Sequence, residues 1–292
     1  MIKVRVPATT ANLGPGFDTL GLALSMYNVF SFEEIDNGVE ILGVPKEYNN
    51  EDNLVYKSMI KTFEKIGYKA SGIRIVIEGD IPLSRGLGSS AACIVGGIVG
   101  ANALAKGKLE KNDILKIATE IEGHPDNVAP AIFGGLVISM VDDSNIVYNR
   151  LEIEEKFKFV ALIPEFSLST EKARNVLPST VNYKDAVDNI GRVSMLLSAL
   201  VNGRLDLLKY GLKDNLHQPY RGKLIKDYFN IIEKCEELGG VGTYLSGAGP
   251  TIMCLREKDD IGFNERINSY LQTLDENWNV KELEVDFEGV KL

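Results

Sequence analysis

The sequence predicts an α+β fold in two domains. Strand and helix patterns follow one another irregularly along the chain, without the steady β-α-β-α order of a doubly wound sheet. At 292 residues the chain is long for a single core and suits about two domains of ordinary size. With 45% hydrophobic and 25% charged residues it has a globular composition, which excludes a disordered, collagen-like or coiled-coil chain.

Strands are expected over 2–6, 22–33, 38–42, 72–78, 135–141, 146–152, 158–163, 241–246, 250–255 and 279–285. These runs are short, β-branched or alternating, and bounded by Gly, Asn and Asp. In 72–78, for example, Ile73, Ile75 and Ile77 share one face. Helices are expected over 53–66, 89–105, 112–122, 185–202, 204–214 and 223–238. The first carries a stripe of Val55, Met59, Phe63 and Ile66. The third carries Ile114, Ile117, Ala118 and Ile121 and stops at Gly123, a residue suited to the position after a helix. The second is apolar nearly all round from Ala91 to Leu104, so it must be buried on most sides. Gly96, Gly97 and Gly100 within it suggest close packing against a neighbour. No repeat or linker marks a boundary. The domains are expected to be 1–155 and 156–292, meeting in the charged stretch 152–158.

Charge and cysteine content narrow the function. With 32 basic against 41 acidic residues the net charge is −9, which argues against a broad nucleic-acid-binding face. A small anion remains compatible, since a local group of Arg or amide N–H donors can hold one. Three cysteines, Cys93, Cys235 and Cys254, lie in apolar runs and form no Cys-x-x-Cys, as expected of reduced thiols in a reducing compartment. With His124 and His217 as the two histidines, a His/Cys metal site is not expected. The strand pattern begins at Ile2 with no signal-peptide pattern ahead of it, and the most apolar run is shorter than a membrane span. A soluble cytoplasmic protein without a membrane partner is expected.

Four stretches carry chemistry. The strongest is Pro82-Leu83-Ser84-Arg85-Gly86-Leu87-Gly88-Ser89-Ser90-Ala91-Ala92, which follows a strand and opens into the buried helix. Glycines let a ligand approach the backbone, Ser89 or Ser90 can cap the helix, and the helix start offers free N–H groups and partial positive charge to a phosphate. A bare Gly-x-Gly-Ser-Ser is commonly no more than a capped turn. It also fits a dinucleotide fingerprint, but residues 79–85 separate it from the strand tip where that fingerprint sits. The Gly-Lys pairs at 107–108 and 222–223 are followed by Leu, so no Walker A motif is present.

The second stretch, 7–18, is read as a loop of small residues with Asn12 and Asp18, and its Asp could hold an amine. The third, 120–130, places Glu120 and Glu122 at a helix C-terminus, where the dipole opposes them and a bound cation would offset the strain. Two solvated glutamates fit that pattern equally. The fourth, 244–251, joins two apolar strands through Ser246-Gly247-Ala248-Gly249-Pro250, and a hairpin turn is its plainest reading. Arg174 and Arg221 are forks suited to a carboxylate or to a surface ion pair.

In this order and spacing, stretches 7–18, 82–92 and 245–251 resemble the GHMP small-molecule kinases over nearly the whole chain. Stretches 12–18, 123–130 and 216–221 resemble the branch that phosphorylates L-homoserine. The resemblance implies a ribosomal-protein-like N-terminal half with a left-handed βαβ crossover and a ferredoxin-like C-terminal half. It implies ATP and Mg²⁺ as cofactors, L-homoserine as substrate, O-phospho-L-homoserine as product toward threonine, and a homodimer. It places Asn53 near the nucleotide base, residues 82–92 around the phosphates, and Ser90 with Glu122 on the metal, with Glu120 as the competing choice. It places Asn12, Asp18, His124, Thr170, Arg174 and Arg221 at homoserine.

Asn127 stands where many GHMP kinases use an Asp base, and it cannot take a proton. Catalysis would then rest on Asn127 and Arg174 as positioning and charge-neutralising groups, with Asp126 a further candidate. Arg85 could neutralise the γ-phosphate or face solvent. The competing readings are a mevalonate- or shikimate-type kinase of the same family and a non-catalytic metabolite sensor on the same fold.

Overall fold

The computed structural model describes residues 1–143, 145–154 and 156–292, so the boundary residue expected at 155 lies outside the described residues. Among the described residues, ten strands build two sheets. The first has the order β3-β4-β2-β5-β6 with β1 paired to β2, from β1 (Ile2–Ala11), β2 (Leu20–Glu34), β3 (Gly38–Leu42), β4 (Gly72–Gly79), β5 (Leu136–Asp142) and β6 (Asn145–Leu151). The second has the order β10-β7-β9-β8, from β7 (Phe157–Pro164), β8 (Gly242–Leu245), β9 (Ile252–Glu257) and β10 (Trp278–Leu283). Every pairing in the second sheet is antiparallel, the arrangement of a ferredoxin-like sandwich. In the first, β3 and β4 run parallel with α1 (Leu54–Ile66) between them in sequence.

All ten expected strands and all six expected helices are present. The helices are α1, α2 (Ser89–Leu104), α3 (Lys111–Glu122), α6 (Tyr183–Asn202), α7 (Leu205–Gly211) and α9 (Tyr228–Glu237). Four more occur: α4 (Val128–Phe133), α5 (Thr170–Asn175), α8 (Gln218–Arg221) and α10 (Phe263–Leu271). The first three have six residues or fewer, too few to display a period, and Pro130 and Pro219 mask two of them. The fourth buries Phe263, Ile267 and Leu271, a legible four-residue stripe.

Strand β1 departs most from expectation. It runs to Ala11 rather than ending at Val6, so residues 7–11 of the stretch read as a loop are strand. The register shifts between Pro7 and Ala8, where the missing proline N–H interrupts the ladder without ending it. The extension carries Thr9, Thr10 and Ala11 to the site described below.

Helix α2 lies in the first core, against β1, β2, α1 and α3. Its glycines permit this approach: a Cβ on Gly96 would stand 2.6 Å from the Phe30 ring and one on Gly100 2.3 Å from Phe32. The second sheet has two apolar faces. Phe159, Ala161, Met253 and Leu255 join the core of the first sheet, while Val160, Leu162, Ile252 and Cys254 pack with residues of α9 and α10. The chain end returns to the first sheet, where Lys291 pairs with Arg5 and Val285 with Leu24. Among the described residues no helix is long and apolar enough to cross a membrane, and Cys93, Cys235 and Cys254 are free thiols.

Candidate active site

All four chemical stretches meet around one cavity of about 290 Å³. Gly88, rather than a serine, is the N-cap of α2, in the left-handed region at φ 68°. A Cβ there would lie 1.9 Å from Thr9 Oγ1, and one on Gly86 would lie 2.4 Å from the Ser246 carbonyl oxygen. Both glycines are thus required by close contacts with β1 and the β8–β9 turn. The first helical bond runs from the Ala92 N–H to the Gly88 carbonyl, so the amides of Ser89, Ser90 and Ala91 stand ahead of the ladder. The Ser89 hydroxyl is buried, unpartnered and on the cavity wall.

The β8–β9 turn both lines the cavity and locks it. The Ser246 hydroxyl donates to the Gly86 carbonyl at 2.6 Å, and the Gly247 and Thr251 amides donate to the carbonyls of Ala11 and Arg85. The hairpin reading of this stretch holds, with the site function added to it.

Helix α3 ends at Gly123 in the left-handed region, and its two glutamates part ways. Glu120 pairs with Lys61 and Lys65 of α1. Glu122 lines the cavity and accepts a hydrogen bond from Ser90 Oγ at 2.8 Å. Burial lifts the Glu122 carboxyl above its ordinary range, against the Ser90 hydrogen bond and nearby His124, with Asp126 adding to the rise. Beyond Gly123, His124 Nδ1 lies 2.5 Å from an oxygen of buried Asp126, and that hydrogen bond raises the His124 pKa against its burial. Asn127 accepts from the Thr9 hydroxyl at 2.7 Å.

The basic side of the cavity comes from the second half of the chain. Arg174, on α5, grips Asp18 through two bonds of 3.0 Å, which raises the pKa of its guanidinium. Arg221, on α8, is 2% exposed and donates to the carbonyls of Ala173 and Gly247. Burial, with Arg174 as the next cause, brings Arg221 down to about 10. Single ligand atoms of Asp18, His124 and Asp126 lie within 4.8 Å of one another beside this basic side.

Of the residues expected at the site, Asn12, Asp18, Asn53, Leu83, Ser84, Arg85, Gly86, Gly88, Ser89, Ser90, Glu122, His124, Asn127, Thr170, Arg174 and Arg221 line the cavity. Pro82, Leu87, Ala91 and Ala92 do not, and Leu87, Ala91 and Ala92 are fully buried core residues. Besides Asn127, two carboxamides are already engaged. Asn12 donates to the Gly247 carbonyl and accepts from the Asp18 amide, while Asn53 caps α1 and donates to the Tyr48 carbonyl. Arg85 lies on the cavity wall, but its guanidinium is turned to backbone carbonyls. Its guanidinium donates to the carbonyls of Leu83, Pro164 and Glu165.

Val44, Tyr48, Leu54, Ile77 and Cys93 also line the cavity and escape sequence reasoning. They are apolar or aromatic residues on ordinary elements, with no motif to single them out. Burial pushes the Cys93 thiol up to about 12, so it is an apolar wall rather than a nucleophile.

Comparison with known proteins shows which sequences and folds this chain is similar to. The family model described as GHMP kinases N terminal domain matches residues 53–135, and the GHMP kinases C terminal model matches residues 196–262. A homoserine kinase of Clostridium botulinum (strain ATCC 19397 / Type A) is 54% identical over 286 residues, 98% of this chain and 96% of the relative. The crystal structure of homoserine kinase from Cytophaga hutchinsonii superposes with a TM-score of 0.87 at 29% identity, covering 99% of this chain and 96% of that one. The L. major mevalonate kinase, solved with R-mevalonate, shares the fold at a TM-score of 0.76 and 17% identity, covering 98% and 96%.

Proposed function

The chain belongs to the GHMP kinases, and from that premise we propose that it transfers the γ-phosphoryl group of ATP to the hydroxyl of L-homoserine, giving ADP and O-phospho-L-homoserine for threonine synthesis. The observation that carries the substrate is the Asp18–Arg174 pair beside Arg221, in the same cavity as the start of α2. A zwitterion can replace that internal pair. Its ammonium meets Asp18, and its carboxylate meets Arg174 and Arg221, so the local charge stays balanced on binding.

The phosphate end is supported by the free amides ahead of the α2 ladder and by the unpartnered Ser89 hydroxyl. The donors also fit Mg²⁺, since Ser90 and Glu122 offer two hydrogen-bonded oxygens and burial leaves the Glu122 carboxylate short of positive charge. Bound there, Mg²⁺ would neutralise charge on the phosphates. Asn127, held by Thr9, orients the acceptor hydroxyl but cannot deprotonate it. Asp126 is 2% exposed and engaged with His124, so it is assigned no proton transfer. Transfer through a loose transition state rests on alignment and charge neutralisation, which these residues supply. A cytoplasmic location and a homodimer complete the reading, and light scattering in solution tests the dimer.

The deciding experiment is an ADP-release assay with Mg-ATP and a panel of L-homoserine, mevalonate and shikimate. Turnover is expected with L-homoserine, because the other two carry no ammonium for Asp18. Turnover with mevalonate and none with homoserine would reassign the substrate. Binding of ATP and homoserine without turnover would make the chain a sensor.

A further inference from the structure

We propose that Phe17 is a positioning residue for the substrate carboxylate, its ring holding Arg174 and Arg221 side by side with His217 stacked against it. The Phe17 centroid lies 5.0 Å from Arg221 Cζ and 5.7 Å from Arg174 Cζ. Both distances are within cation–π range. Two guanidinium groups sharing one small region repel each other, and the hydrogen bonds of Arg221 go to backbone carbonyls rather than to a carboxylate. The negative face of one aromatic ring offsets part of that repulsion for both cations and sets their spacing. Phe17 is half-buried and absent from the cavity wall, so it acts through the two arginines and not on the substrate.

The ring is itself held. His217 stacks on it at a centroid distance of 5.1 Å and an interplanar angle of 25°. His217 is fully buried, and its Nε2 lies 2.8 Å from the Gly14 carbonyl. A carbonyl only accepts, so Nε2 carries the proton and the unpartnered Nδ1 is bare. Burial lowers the pKa of this imidazole, which disfavours a third cation in the stack. The Asp214 carboxylate accepts from the backbone amides of His217 and Gln218 at 2.8 and 2.7 Å, which fixes the segment that carries Arg221. The 216–221 stretch thus supports the N-terminal loop and the carboxylate clamp together.

This inference rests on the reading of Arg174 and Arg221 as the clamp for homoserine. The test compares Phe17→Leu, Phe17→Met and Phe17→Tyr with the wild type in steady-state kinetics, using L-homoserine and 3-aminopropan-1-ol, which lacks the carboxylate. Leu and Met keep apolar bulk without a π face, and should raise the homoserine KM roughly tenfold. The KM for ATP and the kcat/KM for 3-aminopropan-1-ol should stay at wild-type values. Tyr keeps the ring and should restore the homoserine KM. Two non-aromatic variants are included so that a folding failure in one leaves the other to decide. An unchanged homoserine KM in a folded Leu or Met variant overturns the proposal, as does an equal loss toward both substrates and ATP. No homoserine turnover by the wild type would overturn the substrate reading itself, before any variant is measured.

Discussion

Ser90 and Glu122 face each other across the gap between the first turn of α2 and the last turn of α3, the Ser90 hydroxyl donating to the carboxylate at 2.8 Å. The helices pack through a shared core: α2 is apolar nearly all round, and α3 buries Ile114, Ile117 and Ala118 in the same cluster. A carboxylate is left at a helix C-terminus, a place the dipole disfavours, and burial raises its pKa further. A divalent cation at this point answers both effects.

Removing these oxygens should therefore abolish activity while sparing the fold. Ser90→Ala combined with Glu122→Gln should lower kcat by at least about 10²-fold, the scale of losing one preorganised charge-stabilising contact. The thermal midpoint should remain close to wild type, because Gln relieves a desolvated charge and loses no apolar packing. A large fall in the midpoint would make the pair a structural element instead.

Asp18 pairs with Arg174 in the structure, and the proposed function gives it a second role toward the substrate ammonium. Both partners of the pair are substantially exposed, so Asp18→Asn should change stability by only about 0–1 kcal/mol. The homoserine KM should rise on the order of 10- to 100-fold, the worth of one charged hydrogen bond, with the KM for ATP unaltered. Equal effects on both substrates would detach Asp18 from the ammonium.

Gly88→Ala tests the backbone of the proposed phosphate loop. The residue would be held at φ 68° with its Cβ 1.9 Å from Thr9 Oγ1. Left-handed strain alone costs about 1–3 kcal/mol, and relief of the clash must displace either Thr9 or the start of α2. Chemical denaturation should show that loss, and ATP affinity should fall with it. A variant of wild-type stability and affinity would show that the loop is not so constrained.

The acid limb of stability should carry a signature from the second sheet. Burial pushes the Glu282 carboxyl up, but hydrogen bonds from Arg256 and Asn264 outweigh it, and the net pKa lies below the ordinary 4.5. A depressed carboxylate contributes stability above its unfolded pKa and loses it as pH falls through the folded value. Glu282→Gln should thus lower the thermal midpoint near pH 7, and the gap from wild type should close as pH drops below 4.5. A gap independent of pH would show that the carboxylate charge contributes nothing there.

Most of the architecture was legible from local pattern. Alternation marked the strands, the four-residue stripe of Val55, Met59 and Phe63 marked α1, and the almost wholly apolar run after Ser90 marked α2 as a buried helix. The short helices α4, α5 and α8 were not legible, because their ends are set by contacts rather than by their own periodicity. The extension of β1 through Pro7 was hidden for a related reason: pairing with β2 sustains it across the break in register.

The site divides along the same line. Chain chemistry alone established that a glycine–serine bend opens an apolar helix, that acidic residues end another, and that two arginines lie in the C-terminal half. It could not choose between Glu120 and Glu122, which lie about 200° apart around the helix axis. That choice belongs to α1, whose Lys61 and Lys65 draw Glu120 away and leave Glu122 to Ser90. Likewise Asp18 and Arg174 are 156 positions apart, and His217 and Gly14 are 203. Short-range patterns survive in the order of residues because they arise between near neighbours. Which side chains meet across two sheets depends on how whole elements pack, and no local stretch encodes that.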